Sequence, residues 1–230
     1  THVLNDVIVD TNYDIPWAGF FEAASLDIQD GNLNSYGGST GITITGPLTV
    51  GNGSDAASLG YTSDSNGFHD QSFGSVTINS NGTLEASNQT TTLTGTGTIL
   101  DINGTFTHNS GKVIITSSGD HQVLLPGGAT FNNIDLDTTT GHDTKLQEDI
   151  TILGTLDLTG ASDYWIVDAV GASSAAGTPT DVTMTMGSST ASGTIESSDV
   201  RRFRLNTHSS GKCIIQGASN LFPCNVTGQD

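Results

Sequence analysis

At 230 residues, with 34% hydrophobic and 6% aromatic side chains, the chain can hold one large β domain or an elongated domain with small end pieces, but it is poor in core residues for a globular sandwich. The formal charge of −18, from 24 acidic against 6 basic residues, disfavours nucleic-acid backbones and anionic membrane surfaces as partners and fits a solubilising, salt-screened surface. No run approaches the ~18 apolar residues of a membrane span.

Residues 1–24, THVLNDVIVDTNYDIPWAGFFEAA, concentrate Tyr13, Pro16, Trp17, Phe20 and Phe21. They read equally well as a cap sealing the first coil of a repeat structure and as a docking segment, with Trp17, Phe20 and Phe21 the interface candidates. The stretch lacks the basic-then-apolar order of a signal peptide. Thr1 fits removal of an initiator Met before a small residue, and equally cleavage of a precursor.

From Ser25 to Gly160 short apolar alternations recur between Asn, Gly, Ser and Thr: Leu26/Ile28, Ile42/Ile44, Leu48/Val50, Val76/Ile78, Ile114/Ile115, Val123/Leu125, Ile134/Leu136, Ile150/Ile152 and Leu156/Leu158. That is the period of strands with one buried face. Each is too short to bury its face alone, so the strands must stack on copies of themselves. The expected fold is all-β: an irregular parallel β-helix, or β-solenoid, over residues 25–160, with small N- and C-terminal caps. The Asn-Gly pairs at 81/82 and 103/104 suit positive φ and mark tight corners.

Residues 51–73 break the rhythm and read as a projecting loop. Asp64, Asn66 and Asp70 are spaced as calcium ligands could be, although the closing Glu of an EF-hand is missing, so a solvated polar loop is the competing reading. GGSTG at 37–41 matches the nucleophile-elbow pattern around Ser39, but a strand-like ITITG follows where that elbow needs a helix. His108, His121 and His142 show no zinc spacing.

Residues 161–230 read as a C-terminal coil and small β segment. RRFR places Arg201, Arg202 and Arg204 near the C-terminus, suited to an acidic neighbour, another copy of this chain included, or simply to a solvated strand face. Cys213 and Cys224 could close a disulfide loop outside a reducing cell, or be two small buried thiols. No P-loop, HExxH, CxxC or complete dinucleotide fingerprint occurs, and the carboxylates are scattered, so the expectation is a non-enzymatic protein without cofactor.

The segment FTHNSGKVIITSSGDHQVLLPGGATFNNIDLD, followed by ITILGTLDLTG, resembles repetitive β-helical proteins of tailed bacteriophages and of secreted bacterial surface proteins. The shared elements are F-x-x-N-S-G-x-V, then G-x-x-F-x-N-I/L, then T-L-x-G-x-L-x-L, over roughly residues 75–160. The resemblance implies a capsid decoration or tail-fibre component on a virion, partnered by other capsid or tail proteins and often homotrimeric. Its alternatives are a secreted or cell-surface adhesin binding a cell-surface glycan, and a β-helical polysaccharide lyase or glycosidase.

Overall fold

A computed structural model describes residues 3–17, 19–35, 41–61, 70–116, 119, 122–138, 142–161, 164–169, 181–197, 203–206 and 212–217. It is an all-β solenoid of stacked parallel strands, as the alternation predicts. The first coils are made of long strands, β1 (Leu4–Trp17), β2 (Phe21–Ser35) and β3 (Ile42–Val50), with β4 (Ala57–Tyr61) completing the third. Then come β5 (Gln71–Ile78), β6 (Gly82–Glu85), β7 (Thr90–Leu93), β8 (Thr98–Ile102) and β9 (Thr105–Thr107). Shorter strands build the later coils: β10 (Lys112–Ile115), β11 (Gln122–Leu125), β12 (Thr130–Phe131), β13 (Asn133–Leu136), β14 (Thr144–Leu146), β15 (Ile150–Ile152), β16 (Thr155–Asp157), β17 (Trp165–Asp168) and β18 (Val182–Met186). The last described coil is β19 (Thr194–Glu196), β20 (Phe203–Asn206) and β21 (Cys213–Gly217).

Parallel register stacks like on like, because each inward side chain must cover the one in the coil below. One ladder runs Val7, Leu26, Leu48, Val76, Leu100, Leu124, Leu146, Val167, Leu205. A second begins Leu4, Ala23, Ile44, Phe73, Leu93, Ile115, Leu136. The third runs Ile15, Leu33, Leu59, Leu84, Phe106 and resumes Phe131, Ile152, Met186. Where β9 and β12 form no strand pairing, the Phe106 and Phe131 rings bridge the gap at 4.7 Å between centroids. The interior rungs are buried.

Asparagines tie the corners together. Asn79, Asn81, Asn109 and Asn132 donate from Nδ2 to the backbone carbonyls of Gly51 (2.6 Å), Ser54 (3.1 Å), Ala86 (2.9 Å) and Ser110 (2.7 Å), each one coil earlier. A short amide satisfies a carbonyl that the turn leaves without a strand partner. At the 81/82 corner it is Asn81 that takes positive φ, at 66°. Gly82 is needed for space, since a Cβ there would fall on the Val50 carbonyl and lie 2.9 Å from the Asn79 oxygen. Neither residue of the 103/104 pair has positive φ, and Gly104 is likewise a close-approach glycine.

Several sequence expectations change in register or extent. Val123/Leu125 does not face inward; Leu124 does, between Leu100 and Leu146, because three successive apolar residues leave the choice of face to the neighbouring coils. In β10 the inward pair is Val113 and Ile115, with Ile114 turned outward. The stretch 51–73 contains β4, whose Leu59 supplies the rung between Leu33 and Leu84. Residues 4–17 form a coil paired along β2, and stacking continues beyond residue 160 through β21.

Candidate functional site: the two ends and the acidic flank

Among the described residues, the first and last coils each pair with a described coil on one side only. Among the described residues no strand pairs with the outer edge of β1, nor with those of β19, β20 and β21. The ladder positions at these ends are therefore open: Leu4 is 47% exposed, Ile15 37% and Leu205 50%. Of the aromatic interface candidates, Trp17 and Phe21 pack partly against the core with ring centroids 6.0 Å apart, while Phe20 projects. Ile8 and Tyr13 are also exposed on β1. Ile8 alternates with Val7 and Val9 in a strand that is apolar on both faces, which is the signal in the sequence for its exposure.

Charge is distributed unevenly between these ends. The first Lys or Arg of the chain is Lys112, so the early coils carry acid without a basic counterpart. Asp6, Asp10 and Asp14 are exposed on β1, with Ser25 Oγ donating to Asp6 (2.7 Å) and Asn32 Nδ2 to Asp14 (2.5 Å). At the other end Arg204 is exposed and its guanidinium stacks 3.2 Å above the centroid of the Tyr164 ring, a cation–π contact that fixes its plane on the outer face. Lys212 is exposed nearby in the same coil, with Glu196 its acid among the described residues. Arg201 and Arg202 lie outside the described residues.

Other sequence candidates are not gathered into one site. Asp70 is exposed, and Asp64 and Asn66 lie outside the described residues, as do Ser39, His121 and Cys224. Cys213 is half-buried and its Sγ donates to the Val167 carbonyl at 3.1 Å. His108 Nδ1 accepts the Ser110 N–H at 2.9 Å, a turn contact. Among the described residues no group of three or more His, Cys, Asp or Glu is placed to hold a metal ion.

Two features could not be read from spacing. Glu148, at the corner after β14, has its carboxyl pushed above the usual range, first by partial burial and then by Asp101 and Asp149, against a lowering hydrogen bond from the Gly127 backbone. Asp101 belongs to an earlier coil, so only stacking brings the two carboxylates together. Inside the solenoid, Gln147 Nε2 donates to the buried Asp168 carboxylate at 3.2 Å, close in the fold to the buried Thr144 and Trp165 of the same paired strands. Earlier, Gln71 Oε1 accepts from the Ser87 N–H (3.0 Å) and from Thr91 Oγ1 (2.9 Å), so the polar side chains of that corner satisfy one another.

Comparison with family models, with curated proteins and with solved structures found no match for this chain. What its own geometry defines is a class, a parallel β-solenoid.

Proposed function

We propose that this chain is a non-enzymatic structural component of a phage particle, a capsid decoration or tail-fibre segment that holds out a polar, protease-resistant surface. The observation that carries this reading is the unbroken aliphatic ladder from Val7 to Leu205 under a surface of Asn, Thr, Ser and Asp side chains. Such a body is stiff along its axis, because every coil is hydrogen-bonded to the next, and offers much outer surface for little core. Phe20 and Tyr13 at one end, or Arg204 at the other, would anchor it to capsid or tail proteins.

The test is to fractionate particles on a density gradient and measure copy number by mass spectrometry. A fixed stoichiometry with capsid or tail supports the proposal. Recovery only as free protein or in a cell envelope overturns it, the latter in favour of an adhesin. One observation speaks for a polysaccharide-active alternative, the Glu148 carboxyl pushed above the usual range by partial burial and by Asp101. Cleavage of any member of a panel of acidic and neutral glycans, abolished by Glu148→Gln, would establish that reading in place of the structural one.

A further inference from the structure

Asn-Gly occurs at 52/53, 66/67, 81/82 and 103/104, and Asn66–Gly67 lies outside the described residues. In such a pair the glycine has no side chain to shield its main-chain nitrogen, so that nitrogen can reach the asparagine amide carbon. At 81/82 and 103/104 the fold withholds it. The Gly82 N–H donates to the Asn79 carbonyl at 2.9 Å and the Gly104 N–H to the Ile78 carbonyl at 3.0 Å, and both glycines are wedged against carbonyls of an earlier coil. The two amides are also turned elsewhere, Asn81 Nδ2 to the Ser54 carbonyl (3.1 Å) and Asn103 Nδ2 to the Asp101 carboxylate (2.9 Å).

The corner after β3 is built differently. Asn52 and Gly53 are both exposed, and among the described residues the Gly53 N–H meets no hydrogen-bond acceptor. Asn52 Oδ1 accepts the N–H groups of Ser54 (2.8 Å) and Asp55 (2.9 Å), while its Nδ2 donates to Asp55 Oδ2 (2.9 Å). A side chain bonded to the residues two and three ahead curls forward over the intervening Gly53 peptide. Its two N–H donors also face the oxygen on which negative charge builds when the amide carbon becomes tetrahedral, as in an oxyanion hole. The space is open, since a Cβ on Gly53 would meet only Ser80 Oγ, at 3.5 Å.

We propose that Asn52 is a self-modification site of the folded protein, converting through a succinimide to aspartate and isoaspartate. The Gly53 nitrogen gives its proton to hydroxide and attacks Asn52 Cγ; the new C–N bond displaces Nδ2 as ammonia and closes a cyclic imide. Water then adds to either ring carbonyl. Breaking the bond from Cγ to the Gly53 nitrogen gives aspartate, and breaking the bond from the Asn52 main-chain carbonyl carbon gives isoaspartate, with an added methylene in the backbone. Water is the co-reactant and nothing is oxidised or reduced. Either product sets a carboxylate beside Asp55 where an amide donor stood, in the loop whose Ser54 carbonyl receives Asn81 from the next coil. This inference does not rest on the structural role proposed above.

The experiment ages the purified, folded chain at mildly alkaline pH and follows each Asn-Gly peptide by mass spectrometry, with isoaspartate counted by enzymatic methylation. A second sample ages in urea. In the folded chain Asn52 converts, and Asn81 and Asn103 convert at least about tenfold more slowly, because a coil corner must open locally before their glycine nitrogens are released. In urea the three convert at comparable rates. Asn52→Gln, checked for a native melting curve, abolishes conversion at that position and leaves the other two unchanged. The proposal is overturned if Asn52 keeps its amide in the folded chain over times in which the urea-treated chain loses it. Conversion of Asn81 or Asn103 as fast as Asn52 in the folded chain overturns it as well.

Discussion

Leu146 and Leu205 occupy the same ladder and differ in what covers them, so truncating each separates stacking from mere hydrophobicity. Leu146 is fully buried between Leu124 and Val167, while Leu205 rests on Val167 and is 50% exposed. Leu146→Ala removes buried methyl groups and leaves a cavity that two rigid neighbouring coils cannot close, which costs about 2–5 kcal/mol. Leu205→Ala loses roughly half the transfer term of a buried leucine and leaves no closed cavity, so about 0.75–1.5 kcal/mol is expected. Urea melts provide the assay, with the slope monitored because stacked repeats can lose cooperativity. If the two substitutions cost the same, or Leu205→Ala costs more, the assignment of Leu205 as a half-covered end rung is wrong.

Asn109→Ala removes the donor to the Ala86 carbonyl and puts a residue with no local hydrogen bond at a φ of 46°, for an expected loss of about 1–3 kcal/mol by chemical denaturation. Gly111→Ala places a Cβ on the Ser87 carbonyl, so a loss above about 2 kcal/mol is expected; a near-neutral melting curve would count against the tight corner. Glu148→Gln should raise the melting temperature near neutral pH. The folded state holds the Glu148 proton more tightly than the unfolded chain does, so the wild type is most favoured below the ordinary glutamate range and loses that contribution as pH rises through the raised folded pKa. The advantage of the variant should therefore vanish below about pH 4, and a difference that persists there would refute the electrostatic cause. The Lys112–Asp135 ion pair, at 2.8 Å on adjacent coils, is partly exposed, and a double-mutant cycle with Lys112→Met and Asp135→Asn should return no more than about 1 kcal/mol.

The resemblance motifs acquire a physical meaning once the corners are seen. In HNSGK, Asn109 and Ser110 both take positive φ, at 46° and 63°, Asn109 bonds to the coil below, and Gly111 is where two backbones meet. In FNNI, Phe131 is a rung, Asn132 bonds to the Ser110 carbonyl, and Asn133 Oδ1 accepts the Thr155 N–H at 2.8 Å. These residues do the work of turning a corner and joining coils. A likeness carried by them speaks to the fold, and leaves the particle-bound role to rest on the gradient experiment.

Local chemistry was enough to establish the class. Alternation of period two at Leu26/Ile28, Leu48/Val50 and Val76/Ile78, short strands and Asn/Gly corners admit few arrangements other than stacked parallel coils, because no strand of that length buries its face unaided. Tertiary structure alone decided what depends on one coil meeting the next. The all-apolar Val123–Leu125 run can present either face, and only Leu100 below and Leu146 above select Leu124. Leu59 looked like part of a loop until Leu33 and Leu84 enclosed it. Glu148 lies far from Asp101 in sequence, and the exposure of Leu4, Ile15 and Leu205 has no local signature, since among the described residues each pairs with a coil on one side only. Side-chain alternation is a property of a single strand, whereas register, charge proximity and end exposure are properties of the stack.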